Sequence, residues 1–113
     1  MSRWRRRLWW WIGYSAAYGA ADVVVTVEPL SQSLVDWPGC PHCKLGVASA
    51  RVIDVAKGQA RTGQVIAYRV IQEWAPVSCF RDTSTTPGRH YKVYLKAAAD
   101  GGPPLVLENE GIR

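Results

Sequence analysis

Residues 22–28 read Asp-Val-Val-Val-Thr-Val-Glu and stop at Pro29, and this habit of β-branched runs cut off by proline or glycine limits what the chain can become. β-Branched side chains lose χ1 freedom in a helix and pack well on a pleated surface, so the run is an opening strand. Residues 47–57 make a second strand candidate, weakened by Ala48, Ser49 and Ala50 and ended at Lys57-Gly58. Residues 64–73 alternate clearly, with Val65, Ala67, Arg69 and Ile71 on one face and Ile66, Tyr68, Val70 and Gln72 on the other. The polar, glycine-bounded link at 58–63 joins these two as an antiparallel hairpin. Tyr91, Val93 and Leu95 alternate with His90, Lys92, Tyr94 and Lys96, which marks a fourth strand with one solvated face. Asp100-Gly101-Gly102 turns the chain, and a short fifth strand begins at Leu105 after Pro103-Pro104. Short strands with this turn punctuation predict a mostly β domain that closes as a small five-stranded antiparallel barrel.

Two stretches lack a strand period. Residues 30–45 hold Ser31, Ser33, Pro38, Gly39 and Pro41 and read as a long connecting loop around Cys40 and Cys43. Residues 74–89 carry Pro76, Cys79, Asp82, Pro87 and Gly88, and read as a second loop with one helical turn around 77–81. Within it, Thr83-Ser84-Thr85-Thr86 is expected to be solvated rather than to cradle a ligand.

The first 21 residues have a different character. Arg3, Arg5, Arg6 and Arg7 precede an apolar run from Leu8 to Tyr18, and Gly19-Ala20-Ala21 supplies small residues for a peptidase. This is the anatomy of a signal peptide over residues 1–21, with cleavage expected near Ala21 and the mature domain at 22–113. The run is short of the roughly 20 residues that span a bilayer as a helix. Trp9, Trp10 and Trp11 favour the membrane interface, so an interfacial membrane anchor is the alternative. Arg5-Arg6-Arg7-Leu8-Trp9 also fits a loose twin-arginine export pattern. A secreted, periplasmic or cell-envelope location follows, with the membrane met only transiently through this segment.

Charge excludes one class of function. The formal net charge is +5, but setting aside the four N-terminal arginines leaves ten Lys/Arg against nine Asp/Glu. The remaining cations are scattered singly, with no basic stripe to follow a phosphate backbone, and no nucleic-acid partner is expected.

Residues 21–27 (Ala-Asp-Val-Val-Val-Thr-Val), 52–58 (Val-Ile-Asp-Val-Ala-Lys-Gly), Cys79 and 87–95 (Pro-Gly-Arg-His-Tyr-Lys-Val-Tyr-Leu) together resemble the netrin-like or tissue-inhibitor-of-metalloproteinase (TIMP)-like module. The resemblance implies an OB-type five-stranded barrel, and secretion agrees with it. Inhibitors of that family chelate a catalytic zinc through an N-terminal Cys-x-Cys. Here the expected mature N-terminus has no cysteine, so metalloproteinase inhibition does not carry over. What the resemblance leaves is an exported, non-enzymatic module for binding a protein partner or for structure.

The cysteines offer three chemistries. Cys40-Pro41-His42-Cys43 is a dithiol spacing, but a redox centre of that kind wants a helix N-terminus behind the first thiol, and here Lys44-Leu45-Gly46-Val47 leads into a strand. Cys40, His42 and Cys43 are also metal-ligand types, and Cys79 or His90 could complete the four donors a structural zinc takes, although no second pair stands at motif spacing. The third reading is structural. In an up-and-down meander the loop leaving strand one and the chain leaving strand three share one end of the sheet, which brings Cys79 towards Cys40 and Cys43. A disulfide from one of them to Cys79, closing about 35 to 40 residues, is worth about 3 to 4 kcal/mol on chain entropy. A local Cys40 to Cys43 bridge is the alternative, and either pairing leaves an odd thiol. Ser78 with Asp82 and His90 lacks a nucleophile elbow and is not read as catalytic. No cofactor is expected. Trp37, His42 and Trp74 flank the cysteine loops and are the candidate binding surface, with the tryptophans otherwise serving as lids on the core.

Overall fold

The computed structural model describes residues 16–74 and 80–112. The Arg- and Trp-rich residues 1–15, the Trp74 side chain, Cys79 and the 77–79 part of the expected helical turn lie outside the described residues. Among the described residues no helix is long and apolar enough to cross a membrane.

The chain is mostly β. Its strands are β1 (Val23–Asp36), β2 (Lys44–Lys57), β3 (Val65–Trp74), β4 (Phe80–Asp82), β5 (His90–Lys96) and β6 (Leu105–Ile112). They form one sheet in the order β2-β1-β5-β6-β3-β4, and an additional β2 to β3 pairing closes β1, β2, β3, β6 and β5 into a ring of hydrogen bonds.

The ring is not purely antiparallel, contrary to the expectation from sequence. β3 and β6 run parallel, joined at Arg69 and Leu105, where the Arg69 N–H donates to Pro104 O at 2.7 Å. The reason is topological. Each antiparallel contact reverses strand direction, and five strands cannot alternate all the way round a closed circuit. The Arg69 guanidinium also grips Asp100 with two hydrogen bonds of 2.9 and 3.0 Å, which pins the β5 to β6 connection beside this junction. Those hydrogen bonds hold the Asp100 carboxyl below its ordinary range.

Two more expectations are corrected. Residues 30–45 are not a long loop: β1 continues through Pro29 to Asp36 and pairs with β2 as far as Lys44. Pro29 is tolerated because it lies beyond the last β1 to β5 pair, Val27 with Tyr91, and at a register shift, where its missing N–H breaks no ladder bond. A sixth strand, β4, replaces the end of the expected helical turn and pairs with residues 72–74 of β3.

The core fills the ring. Val25 and Val27 of β1, Ala48, Ala50 and Val52 of β2, Tyr68 and Val70 of β3, Val93 and Leu95 of β5 and Val106 of β6 form one buried cluster. The inward faces of β3 and β5 follow the period-2 alternation read from sequence. Ala48 and Ala50, weak strand formers, sit where they leave room for Tyr68 among the valines. A second cluster lies outside the ring, where Ala21, Val24 and Tyr94 are buried together with Ala17 and Leu107 packed against them.

Candidate functional site

The β1 to β2 hairpin carries the cysteine loop at its tip. Asp36 and Lys44 are the last paired residues, and the Trp37 N–H donates to Cys43 O at 3.0 Å. The Cys40 N–H then donates to Trp37 O and the Cys43 N–H to Cys40 O, each at 3.1 Å. Gly39 makes the reversal possible with φ +83°, a conformation that costs a side-chain-bearing residue about 1 kcal/mol or more.

This stacked turn brings the Cys40 and Cys43 Cα atoms to 5.3 Å, and the two residues are joined by a disulfide. The linkage to Cys79 expected from the meander is therefore not the one formed. Two cysteines three residues apart in a tight turn close only a short loop, which costs less chain entropy than closing one out to Cys79. Bonded to one another, these sulfurs also offer no thiolate pair to a metal, and among the described residues no group of His, Cys, Asp or Glu is arranged as a metal site.

The two cysteines differ in exposure. Cys43 is buried at 2%, while Cys40 is half-buried. Trp37 is half-buried, and Pro38, Pro41 and His42 are exposed. Trp74 closes β3 two residues beyond Gln72, which pairs with Lys44, so its backbone lies at the same end of the ring as the hairpin tip.

Beside the tip, residues 83–86 are the part of the site that sequence reasoning missed. They are not a solvated loop: Thr83 and Thr85 are 3% and 0% exposed. The Thr83 N–H donates to Ile71 O and the Ile71 N–H returns a bond to Thr83 Oγ1, both at 2.9 Å. Thr85 Oγ1 shares a 2.6 Å hydrogen bond with the Tyr68 hydroxyl, and its N–H donates to Gln32 Oε1 at 2.9 Å. Asn109 Nδ2 donates to Ser84 O at 3.0 Å, and the Thr86 N–H to the Tyr91 hydroxyl at 3.1 Å. One short segment thus ties β1, β3, β5 and β6 across this end of the ring. Burial pushes the Tyr68 phenol above its ordinary pKa of 10.0, with the Thr85 hydrogen bond opposing and Tyr91 adding to the rise. The available signal was the β-branched pair at 83 and 85, two residues apart, which an extended segment aims to one side.

No protein-family model matches the chain, and no curated protein matches it significantly.

Proposed function

We propose that the protein is an exported, non-enzymatic binding module of the netrin-like type, in which the hydrogen-bonded ring is an OB-type barrel and the β1 to β2 hairpin tip is the contact surface. One observation carries this reading: the disulfide closes a turn that holds Pro38, Pro41 and His42 outward on a fixed backbone, with the half-buried Trp37 beside them. A surface ordered before it meets its partner loses less conformational entropy on binding, so a small patch of this kind gains affinity from rigidity. The ring interior is filled by side chains and by the 83–86 segment, which favours recognition on the outside over enclosure of a small molecule. The N-terminal 21 residues supply export, and the partner is a protein in the same extracytoplasmic space.

The test is site-specific photo-crosslinking in the cell envelope. A photoreactive group at position 42 is expected to give a discrete adduct that weakens in Trp37→Ala, while the same group at Arg61, in the link before β3, gives none. Equal crosslinking from both positions, or none from 42, overturns the proposal.

The observed pairing also favours a second reading, thiol-disulfide exchange. A thiolate of a reduced peptide dithiol would bond to the sulfur of Cys40, the less buried of the two, while the Cys40 to Cys43 bond breaks and its electron pair leaves on Cys43. The peptide's second thiolate would then displace Cys40, leaving peptide disulfide and protein dithiol. Burial of Cys43 opposes this route, because it disfavours the departing thiolate. Stoichiometric oxidation of a dithiol peptide within minutes would establish exchange, and persistence of the disulfide in excess dithiol would exclude it.

A further inference from the structure

The expected peptidase position after Ala21 falls inside a packed part of the fold. Residues 16–20 have helical backbone, and the Ala21 N–H donates to Ala17 O at 2.9 Å. Ala21 itself is 3% exposed, seated on Val24 and Tyr94 with Ala17 and Leu107 alongside. From β2, Lys57 Nζ donates to Tyr18 O at 2.7 Å and lies 5.0 Å from the Tyr18 ring centre, while the Tyr18 hydroxyl donates to Ala56 O at 3.3 Å. From β5, Lys96 Nζ reaches Ala20 O at 3.4 Å.

The far side of the bond is held as well. The Asp22 N–H donates to Leu95 O at 2.8 Å, and Asp22 Oδ2 accepts the Ala97 N–H at 2.7 Å. Gly58 lets β2 end against this segment: its φ is +90°, and a Cβ there would lie 2.5 Å from Asp22 O. A peptidase needs several residues on each side of the cleaved bond free and extended. Here the Tyr18 and Ala20 carbonyls, the Ala21 and Asp22 amides and the Asp22 carboxylate are already engaged, within the segment or by β2, β5 and Ala97.

We infer that residues 17–22 are a strap belonging to the folded domain, that folding closes the Ala21 to Asp22 bond to leader peptidase, and that the segment ahead of it is retained as an anchor on a lipid surface. The strap also explains a burial that the strand pattern does not: Val24 and Tyr94 point away from the ring interior, and Ala21 and Ala17 cover them. The retained segment has the chemistry of an interfacial anchor, with Arg3, Arg5, Arg6 and Arg7 for anionic headgroups and Trp4, Trp9, Trp10 and Trp11 for the headgroup boundary. This inference rests on the export reading, and the experiment separates the two.

Full-length chain is expressed in cells, and the fraction labelled by a membrane-impermeant reagent from outside the inner membrane is isolated; its labelling tests export by itself. The intact mass of that fraction is expected to retain residues ahead of Asp22 and to sediment with membranes. Lys57→Ala combined with Lys96→Ala, which releases the strap carbonyls from two surface lysines, is expected to shift the mass to a chain beginning at Asp22. A wild-type mass that begins at Asp22 overturns the inference. If no fraction is labelled, the export reading fails, and hydrogen exchange on purified full-length protein decides the strap: the Ala21 and Asp22 amides are expected to be protected by at least about 100-fold, and exchange at the unfolded rate overturns it.

Discussion

Residues 83–86 and the hairpin tip at 37–43 lie at the same end of the ring, yet their exposures run opposite to their compositions. The first is threonine and serine throughout, and its two inward threonines are buried; the second holds tryptophan, prolines and cysteines, and most of it faces water. The difference lies in hydrogen bonding. Thr83 and Thr85 enter the core because Ile71, Tyr68 and Gln32 supply partners, so neither threonine hydroxyl is buried alone. The tip at 37–43 is held differently. It closes on itself through three backbone hydrogen bonds and a covalent bond. One region is stabilised by what surrounds it, the other by its own geometry.

The contrast can be broken most sharply at Thr85. Thr85→Val keeps the shape, removes the hydroxyl and leaves the Tyr68 hydroxyl dry in the core, a loss expected at about 3 kcal/mol. Urea unfolding should show it as a lower midpoint at unchanged slope, and adding Tyr68→Phe should recover part of the loss. An unchanged midpoint would mean that the buried threonines contribute nothing.

The tip should respond less, and locally. Cys40→Ser with Cys43→Ser opens a loop of only four residues, for which chain entropy gives about 2 kcal/mol, below the 3 to 4 that a linkage to Cys79 would have contributed. Near-UV circular dichroism from the buried Tyr68 and Tyr94 should persist in this variant. Its collapse would show that the tip helps hold the ring.

The smallest effect expected is alkaline. Because the Tyr68 phenol is raised above 10.0, the unfolded chain gives up this proton first, so its contribution is intact below pH 10 and declines as pH rises through the folded value. Urea midpoints measured between about pH 8 and 11 should therefore fall more steeply in wild type than in Tyr68→Phe. Parallel curves would place Tyr68 in contact with water.

Much of the sheet was legible. The alternation in 64–73 and 90–96 assigned Tyr68, Val70, Val93 and Leu95 to one side each, and these residues line the core. Pro29, with Ser31 and Ser33 just beyond it, hid the second half of β1, because a bulge and an edge left open on the β5 side make Pro29 harmless and neither is visible in composition. The site was less legible. The Cys40 to Cys43 spacing marks the hairpin tip in the sequence, but Thr83, Thr85, Gln32 and Asn109 carry no motif and matter only through one another. The pairing of Cys40 with Cys43 depended on how far the hairpin extends, which places the turn and sets the distance between them.

What the sequence determined by itself is therefore local: β-branched runs, their inward faces, and the glycine turns, all of which follow from steric preferences within a few residues. Tertiary structure decided the parallel β3 to β6 closure, the burial of Thr83 and Thr85, and the cover that Ala21 gives Val24 and Tyr94. Those outcomes depend on which distant groups supply a hydrogen bond or remove water, and a period of two residues carries no information about either.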